Sequence, residues 1–305
     1  PDVSILATER VTITIEEVRQ LVEQSQLTSA ISRYRILIIE DADRMIERTS
    51  NVLLKALEEP PANTIWILCA PSEADLLPTI RSRVRRVALK VPSVQDVARL
   101  LVERDGVDPK LAAIAAAEAQ SHIGMAKRLA TDPDARARRR DTLVSAIQLR
   151  GLSSAMLTAE RWLEIAKRDA EALTELRDEQ EREALIQNLG LTPGEAIPPS
   201  LRTEFKQLEE GQKRRATRSL RDGLDRILVD LLSLYRDVLT VQLGARIDLV
   251  NEDLRDGITD LAKSTSSDST LAKLDAIAVA RHRIDANVRD LMVLEALAVQ
   301  LKRKG

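Results

Sequence analysis

Two groups of residues in this chain have the types and spacing to act on a phosphate. Glu40-Asp41-Ala42-Asp43 follows directly on the apolar run Ile36-Leu37-Ile38-Ile39. A carboxylate at the C-terminal tip of a buried parallel strand lies where open α/β sheets bind ligands. In ATPases such acids hold Mg²⁺ and polarise the attacking water. The plainer reading is an acidic strand end that caps the next helix. The second group is Ser82-Arg83, preceded by Leu76-Leu77-Pro78-Thr79-Ile80-Arg81. Arginine's planar, permanently charged fork suits Arg83 to neutralise phosphate oxygens of a neighbouring subunit. Its plainer reading is a surface arginine in a solvated pair, which is worth little energetically. Together, an acid-tipped strand and an exposed arginine turn suggest nucleotide phosphate handled across a subunit boundary. A glycine-rich phosphate loop is missing: no Gly-Lys pair occurs in the chain, so G-x-x-x-x-G-K-[ST] cannot be present.

Other chemistry finds less support. Arg136, Arg138, Arg139 and Arg140 form one basic cluster, and Lys213, Arg214, Arg215 and Arg218 form another. Either could track phosphates, but both sit among acids on helical stretches and read better as solvated helix faces. His122, His282 and Cys69 give no metal-ligand spacing and no catalytic triad. Trp66 and Trp162 read as core residues rather than base-stacking platforms.

The elements that must position these groups follow from pattern. Thr14-Ile15-Glu16-Glu17 is a capping box, and Val18, Leu21 and Val22 follow at helical spacing. Ile36–Ile39 and Ile65–Cys69 read as strands buried on both faces of a parallel sheet, and Val84–Leu89 as a third. A helix over about 49–58 stops before Pro60-Pro61. From Pro92 onward the pattern is helical. Ser93 with Asp96 caps a helix burying Val94, Val97, Ala98 and Leu101. A second helix follows Asp108-Pro109, a third covers about 124–130, and Pro133 marks a boundary. Beyond it, Leu220, Leu224, Ile227, Leu228, Leu231 and Tyr235 form one stripe; Leu271, Leu274, Ile277, Ile284, Val288, Leu291 and Leu301 form another. Residues 190–199 and the Ser/Thr/Asp stretch 264–270 read as loops. The fold class is therefore α/β followed by all-α, divided at 1–91, 92–133 and 134–305.

Composition agrees and narrows the function. The 305 residues are 44% hydrophobic, 31% charged and 2% aromatic, with a net charge of -2. That balance favours helices and argues against a dedicated nucleic-acid-binding domain, which carries a basic excess. The single cysteine allows no internal disulfide and fits a reducing, cytoplasmic setting. No apolar run is long enough to span a bilayer.

Residues 35–91 resemble the nucleotide-binding domain of the AAA+ clamp-loader subunits of bacterial DNA polymerase III, above all their delta-prime branch. Asn51-Val52-Leu53-Leu54-Lys55-Ala56-Leu57-Glu58-Glu59-Pro60-Pro61 is similar to that family's Asn-Leu-Leu-Lys…Leu-Glu-Glu-Pro-Pro helix. Leu76 to Arg83 resembles the stretch leading into its serine-arginine-cysteine motif. The resemblance implies a truncated AAA+ parallel-sheet domain over 1–91, a small helical lid over 92–133 and a helical collar over 134–305 that holds a ring together. It further implies that the family's phosphate loop and four-cysteine zinc module precede Pro1, so that roughly a hundred residues, a normal domain length, are absent. Zinc is then possible only in that missing segment.

Departures from the family pattern bear on mechanism. Hydrolysing members carry aspartate then glutamate at the strand tip; here the order is Glu40 then Asp41, a degenerate and inactive arrangement. Cys69-Ala70-Pro71 stands at the first sensor, with Ser72 the first hydroxyl, and Gly124 stands where a second-sensor arginine is expected, ahead of Lys127-Arg128. Val84 replaces the cysteine after Arg83, which leaves the arginine's chemistry intact. The resemblance thus implies a stator that hydrolyses nothing itself, with Ser82-Arg83 supplied in trans as an arginine finger to ATP and Mg²⁺ held by a neighbouring gamma/tau subunit. It implies a place in the DNA polymerase III holoenzyme, a DNA-directed DNA polymerase. Its partners would be gamma/tau, delta, the sliding clamp and, through the assembly, primed DNA. The alternatives are the gamma/tau ATPase itself and a helical scaffold with an inactive AAA+ remnant.

Overall fold

The computed structural model describes residues 2–191, 198 and 201–303. The chain divides into two compact units, Pro1–Leu89 with Leu185–Arg218, and Lys90–Ala184 with Ser219–Gly305. Most of the loop expected over 190–199 lies outside the described residues.

The first unit is built on three parallel strands in the order β1 (Val3–Leu6), β2 (Arg35–Ile39) and β3 (Thr64–Leu68). Val3 pairs with Ile36 and Ile36 with Ile65, which fixes the register across the sheet. Helices α1 (Ile15–Ser25), α2 (Glu47–Glu58) and the short α3 (Pro78–Arg81) surround one core. In it Val18, Leu21, Leu37, Ile39, Leu53 and Ile80 are buried together. The expected capping box at Thr14 is present: Thr14 Oγ1 accepts from the Glu17 amide, and the Thr14 amide donates to Glu17 at 2.7 Å. Thr8 Oγ1 also donates to that carboxylate, at 2.8 Å. Burial alone would raise the Glu17 carboxyl, but the bonds from Thr14 and Thr8 outweigh it and hold it below its ordinary value. Thr14→Ala should therefore cost about 1 kcal/mol, read from urea unfolding. The share carried by Glu17 should be present above its ordinary carboxylate range and fade as pH falls through the lowered value.

Two expectations for this unit need correction, and one strand was not read from the sequence. β1 had no signal strong enough to be read as a strand, and it forms the sheet's first edge. The strands are not buried on both faces: Val3, Ile5, Ile65 and Ile67 lie on one face and remain exposed. The helices cover only the face that carries Leu37 and Ile39. Residues 85–93 form no strand, and Val87 and Leu89 are 77% and 89% exposed. Val84, Val87 and Leu89 are strand-type residues, but a strand needs a neighbour for its backbone N–H and C=O groups, and the described sheet ends at β3.

The second unit is helical throughout its described residues. Its helices are α4 (Val94–Asp105), α5 (Pro109–Glu118), α6 (Ile123–Thr131), α7 (Pro133–Ile147), α8 (Leu152–Asn188), α9 (Arg202–Gln242), α10 (Arg255–Ser264), α11 (Ser267–Asp285) and α12 (Asp290–Leu301). The division between units falls within α8 and α9. Ser93, Asp108 and Asp132 cap α4, α5 and α7 as expected of their types. Val97 and Leu101 enter a small alanine-rich core with α5 and α6. A larger core gathers Leu143, Trp162, Leu224, Leu228, Leu231, Tyr235, Ile277 and Leu294. Trp162 is fully buried and donates to Ser145 Oγ at 2.9 Å, so its core reading holds; Trp66 is half-buried against the sheet core. The expected stripe from Leu271 to Leu301 is broken. It spans two helices, and Leu271 and Val288 are exposed. The expected loop over 264–270 shrinks to Thr265-Ser266, because Ser266 caps α11 and the remaining polar residues form its first turn. A run of Ser, Thr and Asp can serve either as a loop or as a helix start, and here it starts a helix.

Candidate functional site

The acidic tip of β2 is rigidly placed. The Cys69 amide donates to Ile39 O at 2.9 Å and the Ala42 amide to Cys69 O at 2.7 Å, which ties the tip to the end of β3. Asp41 has a φ of 50°. That left-handed conformation is uncommon outside glycine and tolerated best by Asp and Asn. Ala42–Arg44 forms a single tight turn beyond it. Arg218 Nη2 donates to Asp41 Oδ2 at 2.6 Å, and Arg44 Nε lies 3.5 Å from the same oxygen. Arg218 is in the portion of α9 that belongs to the first unit. One turn earlier Arg215 meets Glu9 at 3.4 Å. Glu40 is exposed. A carboxylate that must hold Mg²⁺ offers its oxygens to the ion and its waters. Asp41 instead has its Oδ2 against two guanidinium groups.

The second basic cluster is therefore only in part a solvated helix face: Lys213 is exposed, but two of its arginines are not. Arg215 is buried and Arg218 half-buried against acids of the α/β unit. Nothing local in the sequence pairs residue 218 with residue 41. The signal was the pile-up of four cations within six residues, which a solvated face does not require.

Arg83 sits just beyond α3, at an exposed turn fixed by the Ser82 amide to Pro78 O and the Arg83 amide to Ile80 O, at 3.1 and 3.0 Å. Pro78 occupies the first turn of α3, where its missing N–H costs nothing. The guanidinium does not extend freely into solvent. Its Nε donates to Glu58 Oε1 at 2.5 Å, and Nη2 contacts the same oxygen. Nη1 donates to Thr79 O at 2.8 Å and to Ser82 Oγ at 3.1 Å. Ser82 thus helps seat Arg83. Ser82 and Arg83 are brought together; Glu40 and Asp41 lie at the strand tip, bound into a different set of contacts. Glu58 was missed as a site residue. It was visible as the last residue of the Leu-Glu-Glu-Pro-Pro helix, but not as a partner of the arginine.

The sensor positions are likewise committed elsewhere. Ser72 caps the turn Glu73–Asp75. Gly124 lies in the first turn of α6, which His122 caps through Nδ1 accepting from the Met125 amide. Lys127 pairs with Asp105 at 2.8 Å. Arg128 forks onto both oxygens of Asp169 in α8, at 2.8 and 2.6 Å. Asp169 also accepts from Arg138 Nε at 2.9 Å and lies 3.4 Å from Arg226 Nη1. Gly223, one turn before Arg226, lets α9 approach α8 closely: a Cβ there would stand 3.1 Å from Ala166 O. Arg139 is buried and donates to Asp230 at 3.0 Å and to Asn251, with Glu118 at 3.4 Å. Burial pushes the Asp230 carboxyl up to about 6, with Arg139 pulling the other way. In the first basic cluster Arg138 and Arg139 thus belong to a structural network, while Arg140 stays exposed in a surface pair with Asp253. Among the described residues no group of His, Cys, Asp and Glu could hold a metal ion, and no helix is long and apolar enough to cross a membrane.

Known proteins place this geometry in context. Residues 1–93 match the family model described as DNA polymerase III, delta subunit, and residues 178–301 match the one described as DNA polymerase III, delta subunit, C terminal. The chain is 24% identical over 302 residues to DNA polymerase III subunit delta' of Bacillus subtilis, a match covering 99% of this chain and 76% of that one. It is 34% identical over 94 residues to subunit delta' of Pseudomonas aeruginosa, covering 30% of this chain and 29% of that one. Against subunit gamma/tau of Mycobacterium tuberculosis it is 31% identical over 96 residues, covering 30% of this chain and 17% of that one.

Proposed function

We infer, for a chain that belongs to the DNA polymerase III clamp-loader family as a delta-prime-like member, that it works in DNA replication as the non-hydrolysing stator of the loader. The observation that carries this reading is the strand tip. An acid that would serve Mg²⁺ and water in an ATPase is paired with Arg218 and Arg44. The likeness to the delta' subunit of Bacillus subtilis, which runs over 99% of this chain, supports it as well.

On this reading Arg83 is catalytic in trans. It would stabilise charge developing on the γ-phosphate of ATP held, with Mg²⁺, by an adjacent gamma/tau subunit. Ser82 seats it. Glu40 and Asp41 are a remnant of a metal site that binds no cofactor. The helices over 134–305 are the collar through which the subunit joins gamma/tau and delta, with residues 92–133 as the lid. The sliding clamp and primed DNA are then reached through the assembly, in the cytoplasm, and the polymerase activity belongs to the holoenzyme.

The strand-tip assignment has a direct test. If the arginines merely mask a working site, Arg218→Ala should switch on ATP hydrolysis by the isolated chain. We expect no turnover from either the parent or the variant in a phosphate-release assay, because the Glu-Asp order still lacks a carboxylate placed for the attacking water. Measurable turnover in the variant would move the chain to the ATPase branch of the family.

A further inference from the structure

We propose that Glu58 is a latch for Arg83, holding the finger on its own subunit until a neighbour's phosphate displaces it. The proposal rests on Arg83 acting in trans, as inferred above. Glu58 is the last residue of α2, and Arg83 follows α3. Two separate sequence motifs, the Leu-Glu-Glu-Pro-Pro helix end and the Ser-Arg turn, therefore meet in one ion pair.

The geometry says which edge of the arginine is taken. A guanidinium has five N–H donors, and it grips phosphate or carboxylate best by a two-nitrogen fork. The Nε–Nη2 edge is on Glu58, and both Nη1 donors are on Thr79 O and Ser82 Oγ. Only one N–H, on Nη2, remains without a partner in these contacts. No complete fork faces outward, so a γ-phosphate must take the edge that Glu58 now holds. Both contenders are anions, and they cannot occupy that edge together.

The pair is weak enough to be exchanged. The side chains of Arg83 and Glu58 are 33% and 46% exposed, and exposed ion pairs hold their partners only modestly. The Thr79 and Ser82 contacts keep the arginine near the turn while its outer edge changes partner. Glu59, the next residue, makes no contact with Arg83 among the hydrogen bonds and ion pairs described here. It therefore serves as an internal control.

The test uses the reconstituted loader, with ATP turnover measured before and after primed DNA is added. Glu58→Gln should raise the DNA-independent kcat about 2- to 5-fold, the range an exposed ion pair can withhold. KM for ATP and the thermal unfolding of the subunit should stay unchanged. Glu59→Gln should leave turnover as it was. The double variant Glu58→Gln/Arg83→Ala should fall to the level of Arg83→Ala alone. A fall in kcat in Glu58→Gln would make Glu58 a support for the active finger and overturn the latch. Equal kcat in Glu58→Gln and the parent would overturn it too. If Arg83→Ala by itself changes nothing, the in-trans reading has failed, a result distinct from either outcome at Glu58.

Discussion

Arg83→Ala should leave the loader ring assembled and slow ATP hydrolysis at the adjoining gamma/tau site by about 10³- to 10⁵-fold, the range of arginine fingers in other phosphoryl-transfer enzymes. The size of the effect follows from what the guanidinium supplies. A phosphoryl transition state has little covalent chemistry for the protein to perform, so charge placed against its oxygens accounts for much of the rate. Arg83→Lys should recover only a small part, since an ammonium offers a point charge in place of a planar fork. Ring assembly should be indifferent to both changes. The turn is built from backbone bonds of Pro78, Ile80, Ser82 and Arg83, and the side chain lies outside the core. Single-turnover hydrolysis, with gel filtration of the same preparation, checks the two halves together. Parent-like turnover in Arg83→Ala would remove the catalytic role.

The second large effect concerns stability. Asp169→Ala should destabilise the helical unit by about 3–5 kcal/mol, as expected when one member of a buried ion network is removed and its partners are left uncompensated. Asp169 is buried and accepts from Arg128 and Arg138, with Arg226 close by. The Arg128 contact ties α6 to α8, and Arg138 and Arg226 bring in α7 and α9. Removing the carboxylate takes the shared anion from three guanidinium groups at the junction of four helices, with Asp132 the nearest acid left to Arg128 and Arg138, at 3.9 and 3.4 Å. The contrast lies on the same helix. Glu164 and Arg168 form an exposed pair at 3.1 Å, and Glu164→Ala should change stability by no more than about 0.5 kcal/mol. Urea unfolding monitored by the helical circular-dichroism signal compares the two. Equal midpoints would mean that the Asp169 network contributes nothing net.

Much of this architecture was legible because it is local. The capping box at Thr14, the stop before Pro60, the caps at Ser93 and Asp108, and the stripe from Leu220 to Tyr235 all depend on residues within a few turns of one another. The parts misread depend on pairing. Val84–Leu89 has the β-branched and apolar residues of a strand, but residue types cannot say whether a neighbouring strand exists. The open face carrying Val3, Ile5, Ile65 and Ile67 was hidden for the same reason: an apolar run shows that a strand could be buried on both faces, not that it is. Ser264–Thr270 was ambiguous between loop and cap because the same side chains serve both. At the candidate site, Arg83 and Asp41 could be picked out by type and position. Their partners could not. Arg218 reaches Asp41 from α9, and Glu58 reaches Arg83 from the end of a different helix. Of the charge clusters read as solvated faces, Arg138, Arg139, Arg215 and Arg218 proved to be cations of buried or half-buried networks, while Arg140 and Lys213 are exposed as expected.

The role proposed for Arg83 depends on where its guanidinium lies once the subunit is in its ring. A structure of the assembled loader with a non-hydrolysable ATP analogue measures that directly. The account predicts Nε or Nη2 of Arg83 within hydrogen-bond distance of a γ-phosphate oxygen, about 2.7–2.9 Å, with Glu58 released. Arg83 still seated on Glu58, with every neighbouring triphosphate out of its reach, would contradict it.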